Sequence, residues 1–122
     1  MKIKRDILDI LFSRYIRLKA KGICCRCLQY KGYEGLQVAH FWGRRYRSIR
    51  FDESNVCPLC FSCHQYFHEN PLEYVEFFRK YLGEEGFDLL QARMRQIGKI
   101  DREAIRLYLQ EEIKKLEKGE GQ

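Results

Sequence analysis

The segment Asn55-Val56-Cys57-Pro58-Leu59-Cys60-Phe61-Ser62-Cys63-His64, followed by His68, decides how this chain folds. It contains a Cys60-x-x-Cys63 turn, and a matching Cys24-x-x-Cys27 turn lies upstream in a glycine-bearing stretch with little helical periodicity. A C-x-x-C turn brings two thiolates onto one ion, and tetrahedral zinc takes four soft ligands. Two such turns around a hairpin-sized insert predict one structural zinc (Zn2+) on Cys24, Cys27, Cys60 and Cys63. Cys57-Pro58-Leu59-Cys60 is a competing knuckle, because Cys57, Cys60 and Cys63 form a ladder, and Cys25 is also spare. The pair Cys60 and Cys63 is preferred because it sets His64 directly after the zinc turn. Cys25 and Cys57 are then core or free thiols.

The histidines surround this frame. The chain has three, His40, His64 and His68. Leu36-Gln37-Val38-Ala39-His40 alternates like a strand and ends in His40, and a second strand fits Val56 to Leu59. A short helix over Ser62 to Glu69 holds His64 and His68. Their i, i+4 spacing puts both imidazoles on one helix face, as a shared metal ion requires. His40 has the strand parity of Leu36 and Val38, so simple burial is the other reading of it.

Helices flank this centre. Ile7, Leu8, Leu11, Tyr15 and Leu18 recur at helical spacing, which predicts a helix from Asp6 to Ala20 with Gly22 as its stop. Asn70-Pro71-Leu72-Glu73 reads as a helix start, with Asn70 as cap and Glu73 closing a capping box. That helix carries Tyr74, Phe77, Phe78 and Tyr81 on a buried face and ends near Gly83. Two further helices are expected, from Phe87 to Gln96 and from Asp101 to Lys118, before a polar tail over Lys118 to Gln122. The expected fold class is α+β, one domain over 1–122: a helix at about 6–20, a zinc-stapled core at about 22–69 and a helical part at about 71–118.

Composition narrows the function. A chain of 122 residues suits one compact domain, and 45% hydrophobic with 14% aromatic residues excludes a disordered one. Lys and Arg total 23 against 17 Asp and Glu, a net +6 that serves solubility or a polyanionic partner. Met1 to Phe12 is interrupted by Asp6 and Asp9, which makes a poor signal-peptide core and too short a membrane span. The expected setting is cytoplasmic, where six cysteines point to metal before disulfides. Arg44, Arg45, Arg47 and Arg50 fall between His40 and Asn55, and guanidinium forks suit phosphate oxygens. Trp42 and Tyr46 among them could pack on sugar or base. The plainer alternative is a solvated loop paired with Asp52 and Glu53.

Taken in order, Cys24-x-x-Cys27, Val38-Ala39-His40-Phe41 and Asn55 to His64 with His68 resemble the zinc-bound HNH (His-Me finger) endonuclease motif. Gly43 to Asp52 and Asn70-Pro71 to Gly83 resemble its phage-associated branch, which includes the NinG-type recombination nucleases. The resemblance covers roughly residues 22 to 83. It implies a small ββα-metal finger that hydrolyses DNA phosphodiesters to 5′-phosphate and 3′-hydroxyl ends. It implies His40 as general base, Asn55 holding the loop that presents His40, and His64 as ligand of a catalytic divalent metal, with His68 a second ligand. That metal would be Mn2+, Mg2+, Ni2+ or Co2+, and the partner DNA, with no membrane. One position departs from the pattern: many members carry Asp or His before the catalytic histidine, and this chain has Ala39. Waters or phosphate oxygens must then complete the metal shell, with Glu34, Asp52 or Glu69 as further candidates. Ala39 also sustains the alternative of a non-catalytic zinc-finger DNA-binding module.

Overall fold

The structure is a computed structural model and describes residues 5–119, so Met1 to Lys4 and the tail from Glu120 onward lie outside the described residues. Helix α1 spans Ile7–Lys19. The Asp6 carboxylate accepts from the Leu8 N–H at 2.9 Å and satisfies one of the free donors of the first turn. Leu8, Phe12, Tyr15 and Ile16 form its buried face. Gly22 then takes φ +79°, and a Cβ there would lie 2.7 Å from the Tyr30 ring, so this turn is closed to larger residues.

Strand β1 (Leu36–His40) pairs antiparallel with β2 (Val56–Cys60), with Ala39 opposite Cys57 and His40 opposite Val56. Helix α2 (Phe61–Glu69) starts at the residue after β2. Helices α3 (Pro71–Met94) and α4 (Arg102–Glu117) follow. The described residues thus form an α+β fold of four helices and one two-stranded antiparallel sheet.

One local expectation changes and another holds. The Asn70 side chain makes no cap: its amide donates back to the Tyr66 carbonyl at 2.8 Å, while Glu73 accepts from the Tyr66 hydroxyl at 2.5 Å. Only Asn70 separates α2 from α3, so the open carbonyl at the end of α2 captures its amide. The helical run expected to end near Gly83 does break there: Gly83 takes φ +78°, ψ 161°, outside helical values, so α3 is two helical segments joined at a kink, the second reaching Met94 with Phe87 and Leu90 in the interior.

The sheet lies between two apolar clusters. Leu36, Ala39, Leu59, Phe67, Phe78 and Phe87 form one, with Phe41 packed on Phe78 at 4.8 Å between ring centroids. Phe12, Tyr15, Ile16, Val56, Leu109 and Ile113 form the other and join α1, α4 and β2. Of the aromatics expected on the buried face of α3, Phe78 is fully buried and Tyr74 and Phe77 are half-buried. Tyr81 is 46% exposed, stacked on Phe77 at the last turn before the kink. Among the described residues no helix is long and apolar enough to cross a membrane.

Candidate active site

The four cysteines of the two C-x-x-C turns converge. The sulfurs of Cys24, Cys27, Cys60 and Cys63 all lie within 4.8 Å of one another, and among the described residues they are the one such group of three or more candidate ligands. Cys27 Sγ and Cys60 Sγ are 3.9 Å apart. Tetrahedral zinc at about 2.3 Å from each thiolate needs sulfurs about 3.8 Å apart, so the donor set and spacing fit that ion. Arg26 donates to Cys63 Sγ at 3.4 Å and sits over the Tyr66 ring at 3.9 Å, placing a cation beside thiolates that carry excess negative charge. Burial opposes ionisation of Cys60, but hydrogen bonds from Ser62 and Cys63 outweigh it and bring the thiol down to about 6. Cys57 stands outside this group. It is fully buried opposite Ala39, and contact with the Cys25 thiol together with burial pushes it far up, so it stays protonated.

His40 closes β1. Its Nε2 lies 3.1 Å from the Arg50 carbonyl oxygen, which can only accept. Nε2 therefore carries the proton and Nδ1 keeps its lone pair. Burial lowers the His40 pKa, with Arg44 adding to the shift, so the neutral ring dominates near pH 7. The chain on either side of this contact is fixed by Asn55, which is fully buried. Asn55 Oδ1 accepts from the Trp42 N–H at 2.9 Å, and Nδ2 donates to the Trp42 carbonyl at 2.9 Å and to the Ile49 carbonyl at 3.2 Å. The Asn55 carbonyl also accepts from Phe41 N–H at 2.8 Å. One side chain thus ties both limbs of the loop from Phe41 to Ser54.

His64 and His68 lie on one face of α2 with ring centroids 5.2 Å apart. His64 Nδ1 is 2.6 Å from the Gln37 carboxamide oxygen, which accepts its proton and leaves Nε2 able to bind a cation. Burial lowers the His64 pKa and the His68 ring lowers it further, so its lone pair is available at neutral pH. His68 is exposed. Of the three candidate helper acids, Glu34 is exposed in a short turn before β1, and the other two are used elsewhere. Asp52 accepts from Ser54 and pairs with Arg93 at 2.8 Å, and Glu69 accepts from Gln65 at 3.3 Å. Ala39 is fully buried in the cysteine-side core.

His40 and His64 line one open cleft of about 330 Å³, together with Gln37, Asp9, Arg17 and Arg44. The arginines of the loop divide. Arg44 lines the cleft and is 64% exposed, 3.9 Å from Asp9. Arg45 donates to the Tyr46 hydroxyl at 2.8 Å. Arg47 is exposed and borders a different hollow, with Phe51 and Tyr108. Arg50 pairs with Asp9 through two nitrogens, its Nε at 3.1 Å, and lies 3.8 Å from Asp6. Two of the four loop arginines, Arg44 and Arg50, therefore pair with acids of α1 or its cap, while Asp52 serves Arg93 and Glu53 serves Lys19. Trp42 packs edge-on against Phe41 and Tyr46, each at 5.5 Å.

Two residues of the cleft escaped sequence reading, Gln37 and Arg17. Gln37 carries no local signal, since its partner His64 is 27 residues away. Arg17 does carry one: Asp9, Ser13 and Arg17 recur every fourth residue as a polar stripe on α1, and all three line the cleft. Comparisons of the chain with protein-family models, with curated proteins and with solved structures give no match.

Proposed function

We propose that this protein is a metal-dependent DNA endonuclease of the HNH type, with a structural zinc on Cys24, Cys27, Cys60 and Cys63. The observation that carries the reading is one cleft shared by two differently prepared imidazoles: His40 with Nδ1 free, and His64 with Nε2 free. His40 accepts a proton from water at Nδ1 as that water attacks phosphorus. Asn55 keeps the loop from Phe41 to Ser54 braced, so that the Arg50 carbonyl continues to hold the His40 ring. Gln37 fixes the His64 tautomer. His64, with His68, would hold a divalent cation, which supplies charge stabilisation at the departing 3′ oxygen. Arg44 attracts the backbone through phosphate contact rather than base reading. Nicking of supercoiled plasmid across a series of divalent metals, with a chelator control, tests this reading; a folded, zinc-loaded protein that nicks under none of them refutes it.

Burial of Ala39 favours a second reading, a zinc-finger DNA-binding module without cleavage, because β1 brings no carboxylate to His64. It predicts DNA binding that is insensitive to added manganese, and no nicks.

A further inference from the structure

Helix α1 supplies one wall of the histidine cleft, and its three polar cleft residues are in different states. Asp9 is engaged by Arg50, and Ser13 is a short neutral donor. Arg17 is an uncommitted cation. Its guanidinium carbon lies 4.2 Å from the Tyr33 ring centroid, its Nε is buried with no hydrogen-bond partner, and it forms no ion pair among the described residues. A half-buried guanidinium with an unmet donor is costly unless an anion completes it. The Tyr33 ring fixes the direction of the group through its face and uses none of its N–H donors. Arg17 also borders the adjoining hollow of about 580 Å³, edged by Arg5, Arg44 and Arg50 and by the acids Asp6 and Asp9, so it stands where that arginine-rich hollow meets the histidine cleft.

We propose that Arg17, from a helix outside the metal finger, binds the phosphate that is cut; this rests on the nuclease reading above. As water adds to phosphorus, His40 Nδ1 takes its proton. The bond from phosphorus to the 3′ oxygen breaks, and that oxygen leaves with the bonding pair and is protonated by solvent. Negative charge grows on the non-bridging oxygens during this exchange, and the N–H donors of Arg17 meet it there. Tyr33 is a positioning residue that holds the guanidinium at that spot.

The test uses the full-length zinc-loaded protein and the variants Arg17→Gln, Arg17→Lys and Tyr33→Leu, with Arg106→Gln as control. Arg106 sits on α4, is paired with Glu103 and does not line the cleft. Two readouts are taken: single-turnover plasmid nicking, and the salt dependence of binding to a duplex oligonucleotide without divalent metal. Arg17→Gln should cut about 10²-fold more slowly, the scale of losing one oxyanion donor, and its log Kd against log salt slope should fall by about 1. Arg17→Lys keeps the stem and the charge, so it should fold and hold the slope, yet cut well below the parent. Tyr33→Leu should lie between, with its loss in the rate at saturating DNA. Arg106→Gln should match the parent in rate. If either Arg17 variant cuts like the parent, the proposal is wrong. If the parent itself never cuts, the nuclease reading fails. Arg17 is then judged by binding alone, where an unchanged slope in Arg17→Gln, or in Arg17→Met should Arg17→Gln not fold, overturns it.

Discussion

At the scale of single residues, the cleft is prepared by hydrogen bonds that set which nitrogen of each histidine is free. His40 is held neutral by burial, so its pKa lies below the ordinary value of about 6.5. Cleavage should therefore rise with pH and level off below about 6.5, in a pH profile of kcat/KM. The same shift has a sign for stability. The unfolded chain takes up the His40 proton first, so this contribution is complete above about pH 6.5 and is lost as pH falls through the depressed folded value. Asn55 is the second lever. Asn55→Ala removes three side-chain hydrogen bonds to Trp42 and Ile49 in a fully buried site. It should cost about 1–3 kcal/mol for each group left unmet, seen as a lower denaturation midpoint, and should lower cleavage more than DNA binding. Among the arginines, Arg44→Ala should reduce the salt slope of DNA binding, whereas Arg50→Ala should chiefly lower stability, because Arg50 is committed to Asp9 and Asp6.

At the scale of elements, what is local in sequence was legible and what is distant was not. The two C-x-x-C turns and the i, i+4 histidines are short-range patterns dictated by ligand geometry, and their sulfurs meet as the spacing requires. The strand ending at His40 and the helix stop at Gly22 follow from side-chain alternation and backbone sterics in the same way. The partners of Arg50 and His64 were hidden, since those contacts span 41 and 27 residues and depend on how α1, β1 and α2 converge. The cap of α3 failed for a related reason: Asn70 answers to the end of α2, not to its own helix. The packing of β1 also decides what Ala39 can do. It faces the core opposite Cys57, so Ala39→Asp should bury an unpaired carboxylate, destabilise the fold and restore no preference for magnesium. In the cysteine frame, Cys60→Ser should release zinc and unfold or aggregate the protein, while Cys57→Ser should be much milder, as read by bound-metal content and circular dichroism. The reverse order would assign the second knuckle to Cys57 and Cys60.

At the scale of the whole molecule, α1 joins the parts: its buried face meets α4 and the sheet, and its polar stripe walls the cleft. On the proposed nuclease reading, His64 and His68 would offer a catalytic cation imidazole nitrogen, and no carboxylate lies with them in a cluster among the described residues. Imidazole suits borderline ions better than magnesium, so nicking should be faster with manganese or nickel than with equal magnesium. Magnesium ahead of manganese would mean that oxygen ligands control the site. The most direct test of the account compares the parent with His40→Ala, both zinc-loaded, for nicking of supercoiled plasmid in manganese and for DNA affinity without it. The account predicts that the variant folds, keeps its zinc and binds DNA as the parent does, yet cuts about 10²-fold or more slowly. Equal cutting by parent and variant would contradict it.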